Sequence, residues 1–191
     1  PVKAQLSYTG GLVRQDFDSL PNAGTFSFST KGPQELDQPP IAASATAGWS
    51  IYSNVGSPLF FMVDPGTSGT AGAYSYGVAD GADRALGFLG GTRVVRGGLR
   101  LVNTSGQTIT QFTLSFVGEQ WRTASSSADN FLRVEYRINS VPFDLSSTAT
   151  HTVVPELQFS SPITGGLDSA LNGNAAENRT LKSATVTGIS W

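Results

Sequence analysis

A chain of 191 residues, 39% hydrophobic and 14% charged, is long enough to bury a core, and it relies for solubility on hydroxyls and amides, with 22 glycines for tight turns. A net charge of −2 argues against a general polyanion binder, because affinity for nucleic acid comes mostly from Lys and Arg neutralising phosphates. The absence of cysteine excludes disulfides, thiolate zinc sites and cysteine nucleophiles, and no apolar run approaches the roughly 20 residues of a membrane-spanning helix.

In chain order, Leu12-Val13-Arg14-Gln15-Asp16-Phe17 reads as a first strand, closed by a turn at Asp18-Ser19-Leu20-Pro21-Asn22. Phe26 and Phe28 alternate with Ser27 and Ser29 as a second strand. Residues 32–40 are rich in proline, which supplies no ladder donor, so they predict a surface loop or a sheet edge. Strands are predicted from Trp49 to Tyr52, from Pro58 to Val63 with both faces buried, at residues 73–77, at residues 84–89 and at residues 99–102. The Gly, Ser and Thr run of residues 64–73 predicts a long loop opened by Asp64-Pro65-Gly66.

Residues 109–139 show the clearest period of two. Phe112, Leu114 and Phe116 alternate with polar residues, as do Leu132, Val134, Tyr136 and Ile138, which predicts an antiparallel hairpin solvated on one face. Residues 152–159 and the alternation at Ala184, Val186 and Gly188 close the chain, and residues 168–177 are the one stretch suited to a turn or two of helix. Many short strands with turn punctuation imply an all-β protein of two packed antiparallel sheets, and with no internal repeat and no long linker the expectation is a single domain over residues 1–191.

Several stretches together, Gln15 to Pro21, Gly48 to Tyr52, Tyr74-Ser75-Tyr76-Gly77, Asp83-Arg84-Ala85-Leu86-Gly87, Gly118-Glu119-Gln120-Trp121-Arg122 and Leu171-Asn172-Gly173-Asn174, resemble secreted bacterial β-sandwich domains. Such domains occur in proteins with PEP-CTERM sorting signals and beside extracellular nuclease or lamin-tail modules. The resemblance implies a concanavalin A-like jelly roll, export to the cell surface or extracellular space, and no carried-over catalytic residue. A start at Pro1 is compatible with signal-peptide removal or with trimming. Members of this kind continue past the position of Ile189 into further strands. The resemblance therefore carries the expectation of closing C-terminal strands that are missing, processed away or supplied from elsewhere, and with it self-association through a sheet edge.

Candidate sites follow from residue chemistry. Trp49, Tyr52, Tyr74, Tyr76 and Trp121 are the candidate aromatic platform for stacking on sugar rings; Trp49 and Trp121 read as mainly core, and Tyr74 or Tyr76, at i and i+2 beside a flexible loop, as the exposed candidate. Asp83 with Arg84, Glu119 and Arg122 reads as one charged network at a sheet end, first as an ion-pair lattice and alternatively as a ligand site. Asp80 and Asp83, and separately Asn172 and Asn174 beside Glu177, offer hard oxygen ligands for a structural Ca²⁺, with Asx-turn chemistry as the other explanation. His151, the only histidine, lies in a Ser/Thr-rich stretch without a G-x-S-x-G nucleophile motif, and Glu119 with Glu135 is the one carboxylate pair to weigh for glycoside hydrolysis. The expected function is a non-catalytic exported module that binds a glycan or another extracellular polymer and needs no cofactor. A self-assembling structural or adhesive subunit is the second expectation, and a glycan-active hydrolase or lyase the third.

Overall fold

The computed structural model describes residues 5–55, 58–125, 127, 129–141 and 144–191. The fold is all-β: strands are joined by loops and by two single-turn 3-10 helices, Pro155–Leu157 and Ala176–Asn178, and none of the sheets among the described residues closes on itself. The second of these turns overlaps only the end, residues 176–177, of the stretch where the sequence allows a turn of helix. The chain forms two compact units, one of Pro1–Gly106 with Phe143–Ser147 and one of Gln107–Pro142 with Thr148–Trp191.

In the first unit the strands are β1 (Leu6–Tyr8), β2 (Thr25–Phe28), β3 (Gln34–Glu35), β4 (Trp49–Ser53), β5 (Leu59–Asp64), β6 (Gly72–Tyr76), β7 (Ala85–Leu89), β8 (Val95–Leu99) and β9 (Leu101–Asn103). They pair as a four-stranded sheet in the order β2-β5-β6-β7, a three-stranded sheet β3-β4-β8 and a β1-β9 ribbon. Phe28, Leu59, Phe61 and Ala73 from the first sheet and Ile51 from the second meet Leu20, Leu36 and Ile41 in one core, with Phe17, Trp49, Leu86 and Phe88 packed against it. Alternation explains the choice of residues: Phe26 and Phe28 take the same side of β2, as Leu59 and Phe61 do on β5. The proline-rich stretch supplies only the two-residue edge strand β3, as its missing donors require.

Two expectations for this unit are corrected. Residues 12–17 form no strand, because side chains compete for the backbone: the Gln15 Oε1 accepts the Phe17 N–H at 2.7 Å, the Gln15 Nε2 donates to the Ala45 carbonyl at 2.6 Å, and Phe17 adopts φ +66°. Leu12 is left 93% exposed. Pairing is also not antiparallel throughout, since β5 runs parallel to β6 with Phe61 opposite Ala73, and β1 runs parallel to β9 with Leu6 opposite Leu101. The β5–β6 return is short, and Asp64 folds it by accepting the Gly66 N–H at 2.7 Å, the Thr67 hydroxyl at 2.8 Å and the Ser68 N–H at 3.0 Å.

The second unit is built on a long ribbon of β10 (Gln111–Glu119) and β15 (Arg179–Thr187), nine residues each, antiparallel from Gln111 opposite Thr187 to Glu119 opposite Arg179. Beyond the ladder, Ile109 and Trp191 exchange N–H···O bonds of 2.8 and 3.1 Å. Two short pairs accompany the ribbon: β11 (Phe131–Leu132) with β14 (Phe159–Ser160), and β12 (Glu135–Tyr136) with β13 (Thr152–Val153).

The predicted hairpin of residues 109–139 is therefore corrected: its first half is a strand, but the partner lies about seventy residues further along the chain rather than across the next loop. The distant partner matches β10 residue for residue. Thr113 and Thr185 hydroxyls lie 2.7 Å apart, Ser115 and Ser183 hydroxyls 2.7 Å apart, and Glu119 meets Arg179 at 3.1 Å. Residues 131–138 are left to make two fragments, broken at Arg133 and Val134.

Candidate ligand site

Five of the six stretches singled out in the sequence take part in two locks, one in each unit. In the first unit the Arg84 side chain is buried, 2% exposed, and ties three of the motifs together. Its Nε donates to the Ser75 Oγ at 2.9 Å, one terminal nitrogen donates to the Ser75 carbonyl and the other to the Val78 carbonyl at 3.2 Å, while the Arg84 backbone N–H donates to the Asp18 Oδ1 at 3.2 Å. The Ser75 hydroxyl in turn donates to the Pro21 carbonyl at 2.7 Å. Burial holds the Arg84 pKa below its ordinary value and the adjacent Asp83 charge opposes that shift, but a guanidinium keeps its proton at any working pH. Neighbouring glycines leave the room this requires: a Cβ at Gly77 would lie 2.3 Å from an Arg84 nitrogen, and one at Gly87 would lie 2.2 Å from the Tyr76 ring.

Tyr74 and Tyr76 belong to this lock, which corrects the expectation that they are exposed. They are 0% and 6% exposed, and their rings stack on each other at 4.7 Å and 5°. The reason is topological: β6 is an interior strand, flanked by β5 and β7, and every residue of it is buried. The Tyr74 hydroxyl donates to the Thr70 carbonyl and lies 3.1 Å from the Ser68 Oγ, so the ring closes the base of the 65–71 loop rather than offering a sugar a flat surface.

The second lock surrounds Trp121, which is 4% exposed, as its core assignment requires. Its indole N–H donates to the Glu119 Oε2 at 3.0 Å, and its ring covers Gly173, where a Cβ would come within 2.3 Å. The Gln120 amide spans the neighbouring loop, donating to the Ile163 carbonyl at 2.8 Å and accepting the Ile163 N–H at 2.8 Å. Glu119 pairs with Arg179 at 3.1 Å, Arg122 approaches Asp168 at 4.0 Å, and Glu135 pairs with Arg133 at 2.7 Å. The charged groups expected to form one network thus fall into two sets, Arg84 with its partners in the first unit and Glu119 and Arg122 with theirs in the second. Each carboxylate of the Glu119 and Glu135 pair faces an arginine.

Among the described residues no three His, Cys, Asp or Glu side chains converge as metal ligands. Asp80 and Asp83 lie exposed in a turn of the first unit, with Asp80 at φ +58°. Asn172 and Asn174 form an Asx turn in the second, where the Asn172 Oδ1 accepts the Asn174 N–H at 3.1 Å and the Asn172 carbonyl accepts the Asn178 amide at 2.8 Å. His151 is half-buried.

An open cleft of about 340 Å³ lies in the second unit between residues 152–156 and residues 183–186, with Tyr136 in its wall. Consecutive residues of β15, whose side chains alternate between faces, all line it, so it follows the strand's edge. The backbone parity of that edge can be read from one bond. The Gln120 N–H donates to the Asn178 carbonyl at 2.9 Å, which makes Gln120 and Asn178 a bonded pair; strict alternation then pairs the even-numbered residues of the ribbon and turns the odd-numbered N–H and C=O groups outward. Ser183 and Thr185 therefore present main-chain donors and acceptors along the cleft. Thr152 adds a hydroxyl, Glu156 an exposed carboxylate, and Tyr136 a half-buried ring braced edge-on by Phe112 at 5.5 Å and 81°.

Sequence reasoning missed this site. Tyr136 was visible only as one member of an alternating strand, and no local signal brings residues 152–156 beside β15. No protein family, curated protein or solved structure matches the chain.

Proposed function

We propose that this chain is a non-catalytic, exported carbohydrate-binding module of β-sandwich type, with the cleft beside β15 as its binding site. One observation carries the reading: a cleft of about 340 Å³, within the size range of small-ligand sites, combines an aromatic wall at Tyr136 with alternating main-chain donors and acceptors, a threonine hydroxyl and a carboxylate. A sugar ring has the matching chemistry, since its hydroxyls both donate and accept and its C–H face packs on an aromatic ring. Support for the sandwich comes from the first unit, where two sheets share one core. Support for a surface or matrix setting comes from the resemblance to exported bacterial sandwich domains and from the scarcity of charge. None of the motif residues that carry the resemblance lines the cleft.

The test is a glycan array on the intact chain, followed by equilibrium binding of any retained sugar to Tyr136→Ala and Glu156→Gln. Each substitution is expected to weaken binding at least about tenfold, roughly 1.4 kcal/mol, with the fold unchanged by circular dichroism. Retention of no glycan, or full affinity in both variants, rejects the reading.

A further inference from the structure

We infer that β10 is a docking edge for a second copy of this chain, joined antiparallel, β10 to β10, to make a continuous four-stranded sheet. The inference is independent of the cleft, which follows the other strand of the ribbon.

The first ground is that this edge is open. By the parity established above, the N–H and C=O groups of Gln111, Thr113, Ser115 and Val117 point away from β15, and no described residue hydrogen-bonds to them. The second ground is that the edge lacks the usual protection. Exposed edges are ordinarily kept short, or carry a proline, a bulge or a mid-strand lysine. β10 runs nine residues as Gln-Phe-Thr-Leu-Ser-Phe-Val-Gly-Glu, with its one charge at the terminus, and Leu114 and Val117 are 38% and 45% exposed. Its ribbon partner shows the contrast, carrying Lys182 at mid-strand; the remaining edge strands among the described residues are five residues or shorter.

The third ground selects the occupant. A two-fold axis through Ser115 pairs outward residues only with outward residues: Ser115 with its own copy, Thr113 with Val117 of the second copy and Gln111 with Glu119 of the second copy. On the other face Leu114 meets Phe116 of the second copy. No like charges oppose each other, and the amide of Gln111 faces a carboxylate. The edge is thus complementary to itself.

The experiment is light scattering after size exclusion on the full 191-residue chain over a wide concentration range. The expected result is a concentration-dependent doubling of mass, accompanied by slower amide exchange at Thr113, Ser115 and Val117. Ser115→Pro removes one outward N–H and no bond to β15, and is expected to raise the dimer dissociation constant at least about tenfold. Should that variant lose its circular dichroism spectrum, Thr113→Lys, which places a charge on the same edge, decides. A strictly monomeric chain overturns the inference, as does a dimer that folded Ser115→Pro or Thr113→Lys leaves intact. A monomer that captures an unrelated extended peptide along β10 overturns the assignment of a second copy.

Discussion

β6 and β10 look alike in sequence, each placing large apolar or aromatic side chains at every second position, and they meet opposite fates. β6 sits between two neighbours, and all five of its residues are buried, tyrosines included. β10 has one neighbour, and of its nine residues only Gly118 is buried. The difference lies in the number of partners rather than in the pattern. A strand paired on both sides has its backbone satisfied and its faces covered, whereas a strand paired on one side keeps half its backbone groups for another molecule. The two units differ accordingly: the first buries its β6 tyrosines in an interior strand, and the second has a long edge strand and an open cleft.

That contrast can be broken most strongly at β6. Truncating a fully buried aromatic ring, Tyr74→Ala, is expected to cost about 3–5 kcal/mol in urea denaturation, while Leu114→Ala on β10 costs under about 1 kcal/mol because the side chain is already partly in water. Equal losses at the two positions would mean that β10 is covered. Arg84→Ala comes next. It strands the Ser75 carbonyl in a buried site and removes charge-assisted hydrogen bonds, for an expected loss of about 3 kcal/mol.

Smaller effects test the locks. Gly87→Ala and Gly173→Ala each push a methyl group into an aromatic ring, Tyr76 in one case and Trp121 in the other, and are each expected to cost about 1–3 kcal/mol. The first should be rescued by Tyr76→Leu in the same chain, since the smaller side chain vacates the space. The smallest change is Glu119→Gln. Arg179 is 39% exposed, so solvent screens its pair with Glu119, and a loss of under about 1 kcal/mol is expected in a thermal melt.

Alternation made β2, β6 and β10 legible from the chain alone, because a period of two needs no knowledge of what the strand packs against, and a short continuous apolar run did the same for β5. The proline-rich edge and the turn at Asp64 were equally local. The motifs Tyr74-Ser75-Tyr76-Gly77, Asp83 to Gly87 and Gly118 to Arg122 also stood out, yet their meaning did not. The tyrosines read as an exposed sugar platform and the charges as one ion-pair lattice, whereas the tyrosines are buried and the charges fall into two separate sets, since a glycine that leaves room for an arginine or an indole has the same sequence signature as a glycine in a turn.

Composition and periodicity by themselves determined an all-β protein of short strands, without disulfides and with no apolar stretch long enough for a membrane-spanning helix. Tertiary structure alone decided who pairs with whom. Joining β10 to β15 across about seventy residues and setting residues 152–156 beside β15 are contacts between distant segments, and the parallel pairing of β5 with β6 is likewise absent from the local pattern. The alternation of a strand records which side chains share a face, but it carries no record of its neighbour, because the hydrogen bonds that choose the neighbour belong to a backbone common to every residue.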